Sequence, residues 1–125
     1  ICLIDSRQAE LDQAEAAIPQ KVTPLPEAEI RQAPPRSAFV ILTHDHALDF
    51  QLAAEALSRP DSAYVGMIGS KTKRNTFENW IKRQHNSLST AALICPIGGN
   101  TLRNKRPEVI AAFVTTELLT ALQDE

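Results

Sequence analysis

The chain lacks most of the signatures that would assign it a chemistry at once. Its two cysteines, Cys2 and Cys95, lie far apart and form no CxxC pair. That excludes a zinc ribbon and a disulfide framework, and makes a reducing, cytoplasmic setting the expectation. No apolar run approaches the length needed to span a membrane, and no secretory signal pattern is visible. Aromatic residues are scarce at 5%, and the net charge is −2. The basic residues cluster locally within a mildly acidic chain, so the electrostatic footprint of a nucleic-acid binder is missing. There is no GxxxxGK[ST] and no GxGxxG. No nucleophile–base–orienter set stands out, and no pair of carboxylates suggests acid–base work.

What is present is a repeated alternation of short apolar runs and helical patterns. Ile1-Cys2-Leu3-Ile4 reads as a strand ending at Asp5. Residues 8–17 read as a short helix with a thin apolar stripe. Residues 19–37 hold five of the eight prolines and read as mostly loop, with a short edge strand near Val22. Ala38-Phe39-Val40-Ile41-Leu42 is a second apolar run, followed by a helix over 47–58 carrying Leu48, Leu52, Ala53, Ala56 and Leu57 on one face. Arg59-Pro60-Asp61 stops it. Tyr64 to Ile68 is a third strand and residues 72–84 a helix, whose Phe77 and Trp80 read as core. Ala92-Leu93-Ile94-Cys95 is a fourth strand. A loop follows, and Pro107 fits the first position of a last helix to about Gln123. Strands that are apolar throughout, rather than alternating, are covered on both faces. The expected class is α/β: a three-layer sandwich around a mostly parallel sheet.

In such a sheet, ligands bind outside the carboxyl ends of the strands. Asp5 at the first end could accept from a ribose hydroxyl or cap the next segment. His44 and His46 follow the second strand. They could bind a phosphate when protonated, or a metal, although no third ligand is identifiable; Asp45 or Asp49 would cap the helix. The third end, Gly66 to Arg74, passes through Gly66 and Gly69 into Ser70, Lys71, Lys73 and Arg74. A strand that ends at glycine and opens a helix gathers unpaired N–H groups, and three cations add positive potential, so the corner is expected to hold an anion. The fourth end brings Cys95 and Gly98, with Arg103, Lys105 and Arg106 beyond. Nearby cations are expected to lower the Cys95 thiol pKa, although a buried cysteine is usually an inert small hydrophobe.

Three segments together resemble one family: Thr43-His44-Asp45-His46-Ala47-Leu48-Asp49, Tyr64 to Arg74, and Cys95-Pro96-Ile97-Gly98 followed by Lys105 and the helix carrying Thr116-Glu117-Leu118-Leu119. With Ile4-Asp5-Ser6-Arg7, they resemble, in order and over nearly the whole chain, the Rossmann domain of the XdhC/CoxI family. These are accessory factors of xanthine dehydrogenase and related molybdenum hydroxylases. The resemblance implies a non-catalytic role: binding molybdenum cofactor (molybdopterin), assisting its sulfuration, and delivering it to the apo-enzyme. It implies a molybdenum hydroxylase as partner, a cysteine desulfurase as a second, and a homo-oligomer. Asp5, His44, His46, Gly66, Gly69, Ser70, Lys71, Lys73, Arg74, Cys95, Gly98 and Lys105 would line the cofactor site. Two other readings stand beside it: an oxidoreductase using NAD(P) in the same crevice, with Asp5 on a ribose, and a docking domain that binds no small molecule.

The family's domain normally opens with a glycine-rich strand–turn, which is absent here. Ile1 starts directly in an apolar run, so residues 1–125 read as a single Rossmann-like domain cut from the C-terminal part of a longer protein. In the usual strand order that first strand lies at the centre. Without it, the sheet is expected to be split, the helix above it uncovered, and the isolated chain poorly folded.

Overall fold

The computed structural model describes residues 2–13, 17–98 and 106–123. Five strands alternate with five helices: β1 (Leu3–Asp5), α1 (Gln8–Leu11), β2 (Gln20–Val22), α2 (Pro26–Gln32), β3 (Ala38–Ile41), α3 (His46–Ser58), β4 (Tyr64–Met67), α4 (Lys71–Gln84), β5 (Leu93–Ile94) and α5 (Pro107–Gln123). All strand pairs are parallel, as unbroken apolar strands require. They do not form one sheet. β1 pairs with β2, and β3-β4-β5 form a separate three-stranded sheet. The expected split is therefore present: among the described residues no strand pairing joins β1-β2 to β3-β4-β5.

The helix α2 departs from the loop expected over 19–37. The prolines there bracket a helix rather than interrupt it. Pro26 occupies the first turn, where its missing N–H is no loss. Pro34 comes directly after the cap residue Ala33. Glu27 and Glu29 in the first turn and Arg31 in the last complement the helix dipole. α2 buries Ile30 and packs against α3. Arg59, just past α3, fastens the pair by donating to the carbonyls of Ile30, Ala33 and Pro34 at 2.7–2.9 Å.

Alternation along the strands separates two faces. Val65 and Met67 of β4, Ile41 of β3, and Leu93 and Cys95 at β5 join the main core with α3 and α4. At its centre Phe50, Phe77 and Trp80 pack with ring centroids 5.2–6.0 Å apart, an aromatic cluster of the edge-and-offset kind that adds to plain area burial. The opposite face carries Tyr64, Gly66 and Ile94 and is covered by α5. Tyr64 donates its hydroxyl to Glu117 of α5 at 3.3 Å. Gly66 is required there. A Cβ at that position would lie 2.5 Å from the Tyr64 ring and 2.8 Å from Ile97, closer than packed atoms tolerate.

Candidate functional site

The four strand ends carry the polar residues singled out by sequence, and each end has its own local logic. At β1, Asp5 is engaged by Arg7. The Arg7 backbone N–H and Nε donate to Oδ1 at 2.9 and 3.1 Å, and Nη2 to Oδ2 at 3.3 Å. The Arg7 guanidinium holds the Asp5 carboxyl below the usual carboxylate range. Both oxygens already have partners, and Asp5 closes its own turn.

After β3, Asp45 caps α3 by accepting from the Ala47 and Leu48 N–H groups. Thr43 braces the turn with a hydrogen bond to the Asp45 carbonyl at 2.9 Å. His44 and His46 are exposed on either side of this cap. No group of three or more metal-ligating side chains occurs among the described residues.

After β4, Gly69 has φ +155, and a Cβ there would collide with the Lys73 side chain. Ser70 caps α4, its hydroxyl accepting from the Lys73 N–H at 3.2 Å. Lys71 stands exposed at the helix start. The expectation that Lys73 and Arg74 lend their charge to this corner is corrected. Lys73 turns inward, and its Nζ donates to Asp49 Oδ2 at 2.6 Å and to the Ile68 carbonyl at 2.7 Å. Asp49 is fully buried and also accepts from the Thr43 N–H at 2.9 Å. Arg74 reaches across to β5, donating to the Leu93 and Cys95 carbonyls at 2.9 and 3.3 Å, and pairs with Glu78 at 3.2 Å. Both cations satisfy carbonyls at strand ends that would otherwise be buried unpaired. Gly66 lies inside β4, not in the turn.

At β5, Cys95 is buried. Burial raises its thiol pKa and outweighs the lowering by Lys73 and Arg74, which reverses the expected direction. Gly98, also buried, donates its N–H to Glu117 Oε1 at 2.9 Å. Burial, then the Glu117 charge, pushes the Tyr64 hydroxyl pKa well above the ordinary tyrosine range. Lys105 and Arg103 lie outside the described residues.

The structure thus ties two of the loops together through Asp49, which the sequence offered as an alternative cap of α3; Asp45 takes the cap, and Asp49 is buried on Lys73 and the Thr43 N–H instead. The Asp49–Lys73 pair links the Thr43 turn to the Ile68–Ser70 turn, so the His44/His46 loop and the α4 N-terminus are held as one unit. The signal for that burial is a carboxylate on the apolar stripe of α3, beside Leu48, Leu52 and Ala53. Glu117 sends the same signal on α5. Facing solvent on this edge are His44, His46, Lys71 and the start of α4: two imidazoles, one ammonium and a helix N-terminus. That donor set suits an anion bearing a flat polar ring. It does not offer Cys95 as an exposed metal ligand.

Parallel strands with helices between them, and polar loops gathered at their carboxyl ends, define a Rossmann-like domain. The sequence pattern of the XdhC Rossmann domain matches residues 1–118, and the chain belongs to that family. A solved structure from Bacillus halodurans, described as a xanthine dehydrogenase, is similar at TM-score 0.73 and 21% identity; the match covers 99% of this chain and 35% of that one. This chain therefore spans about a third of that protein's length. No curated protein matches the chain. No helix among the described residues is long and apolar enough to cross a membrane.

Proposed function

We propose that this domain is the cofactor-holding part of an accessory factor for a xanthine dehydrogenase-type molybdenum hydroxylase. It binds molybdenum cofactor at the carboxyl edge of β3 and β4 and keeps it available for sulfuration and insertion. The family match over residues 1–118 carries this reading. The exposed donor set of His44, His46 and Lys71 beside the α4 N-terminus supports it. In this role the start of α4 and Lys71 take the cofactor's phosphate. The imidazoles of His44 and His46 hydrogen-bond the pterin edge. The Asp49–Lys73 pair fixes the spacing of the two loops without touching the ligand. When bound, the cofactor supplies the metal–dithiolene centre. Sulfur delivery by a cysteine desulfurase, and self-association of the factor, belong to the same proposal.

The test is equilibrium binding of molybdopterin by the wild-type protein, Lys71→Ala and the His44→Ala/His46→Ala double variant. A loss of about tenfold or more per site, on the order of 1.4 kcal/mol, is expected for each. Unchanged affinity in both variants would remove the site. Parallel titration with NAD(H) separates the oxidoreductase reading. Binding of neither ligand leaves a docking domain.

A further inference from the structure

Between α5 and the sheet lies a hollow. Phe113, Thr116, Glu117, Thr120 and Ala121 follow one another at the spacing of a single helix stripe, and they line a cavity of about 530 Å³ over β4 and β5. Such a stripe ordinarily fills a core. Here it carries two hydroxyls and a carboxylate. The opposite wall has alanine at Ala63 and Ala92, just before the two strands, and Tyr64 and Ile94 within them. Small side chains on both walls, with Ala121 on the helix, leave the space open. Its volume is that of a small-molecule site. It starts at the amino ends of β4 and β5, whereas His44, His46 and Lys71 follow the carboxyl ends of β3 and β4.

The chemistry of the lining is one-sided. Its side-chain donors are all engaged. The Thr116 and Thr120 hydroxyls donate to the carbonyls one turn back, Ala112 and Thr116, at 3.1 and 2.9 Å. The Tyr64 hydroxyl donates to Glu117 Oε1 at 3.3 Å, and burial, then the Glu117 charge, keeps it protonated. The side-chain groups that remain are acceptors, and Glu117 is the foremost. Its Oε1 takes both Tyr64 and the Gly98 N–H. Among the described residues, Oε2 enters no hydrogen bond and the carboxylate no ion pair, and no basic side chain lines the cavity. A half-buried carboxylate without a counter-charge favours a cation beside it. The Tyr64 and Phe113 rings add aromatic surface of the kind that attracts cations. Phe113 is 44% exposed and Glu117 half-buried, so a ligand can reach both from solvent.

We propose that this cavity is a second binding site, for a compact organic cation: a primary ammonium on an aromatic or branched aliphatic body. The ammonium donates to Glu117 Oε2, and the body lies against Phe113 and Ile94. Because the same carboxylate holds the Gly98 N–H, occupancy is felt at the loop that follows β5. The proposal does not rest on the cofactor reading of the carboxyl edge.

The experiment titrates the protein with benzylammonium chloride near neutral pH and follows amide shifts by NMR. Saturable one-site shifts are expected at Ala63, Ile94 and Gly98. Benzyl alcohol keeps the ring and a donor but lacks the charge, and it should bind at least about tenfold more weakly. Phenylacetate reverses the charge and should not saturate. Glu117→Gln keeps an acceptor for Gly98 and Tyr64 while removing the charge, and should lose about tenfold in affinity. Ala121→Leu fills the cavity without touching the Glu117 network and should abolish binding. Trp80, packed against Phe50 and Phe77, reports by fluorescence that the main core of each variant stays folded. The ligand series needs no variant, so the test stands even where Glu117→Gln does not fold. Benzyl alcohol binding as tightly as benzylammonium would overturn the inference. So would Ala121→Leu binding as well as wild type, unchanged affinity in Glu117→Gln, or shifts confined to amides elsewhere.

Discussion

The residue with the most consequence for the candidate site never reaches its surface. Lys73 has its ammonium buried between Asp49 and the Ile68 carbonyl. Removing one member of such a pair leaves an uncompensated charge in the interior. Lys73→Met is therefore expected to destabilise the protein by about 3–5 kcal/mol in urea unfolding. The double variant Asp49→Leu/Lys73→Met should lose less than either single change, because no lone charge remains. If Lys73 instead acted directly on a bound anion, Lys73→Met would weaken binding while leaving the unfolding midpoint in place. Cys95 supports a second expectation at this scale. Its thiol is buried and its pKa raised, whereas Cys2 is exposed, so iodoacetamide at mildly alkaline pH should label Cys2 and spare Cys95 until the chain unfolds. Equal labelling of both in the folded protein would contradict the burial assigned here.

Local signals at the element scale were readable, and long-range pairings were not. β3, α3, β4, α4 and α5 follow from apolar runs and helical stripes, with Pro107 in the first turn of α5 as its sequence position implied. β5 is two residues long, shorter than its apolar run, because Ala92 lies in a turn and Cys95 begins a loop. α2 is hidden in the sequence because proline breaks a helix interior but is tolerated in a first turn, where Pro26 falls, and past the last, where Pro34 falls. At the candidate site, the strand ends and a helix cap at Asp45 or Asp49 are visible in sequence, and Asp45 takes the cap; the Ser70 cap emerges only in the structure. The inward turn of Lys73 and Arg74 is not, because the partners that draw them inward, Asp49 and the Leu93 carbonyl, lie 24 and 19 residues away. The capping role can be checked directly. Ser70→Ala is expected to cost about 1 kcal/mol and to loosen the loop that holds Lys71. At β1, the depressed Asp5 pKa contributes stability that is fully present above the ordinary carboxylate range and lost as pH falls through the lowered folded value. The stability gap between wild type and Asp5→Asn should therefore close only in strong acid, below the range where unfolded carboxylates protonate, when unfolding is measured as a function of pH.

The split sheet sets the behaviour of the whole molecule. The main core draws on β3, β4 and β5 with α3 and α4, and of the described residues before β3 only Ile30 of α2 enters it. β1 and β2 pair with each other and with α1, and the buried Leu11 lies outside that core. The β1-β2 unit is thus joined to the rest through α2, whose packing on α3 and whose Arg59 and Arg31–Glu55 contacts are partly exposed. A two-stranded unit whose described residues contribute nothing to the main core cluster should open at lower free energy than the three-stranded sheet. Native-state hydrogen exchange is expected to show the amides of Leu3–Asp5 and Gln20–Val22 exchanging on the order of 100-fold faster than those of Tyr64–Met67. Uniform protection across both sheets would mean that the two halves unfold as one cooperative body.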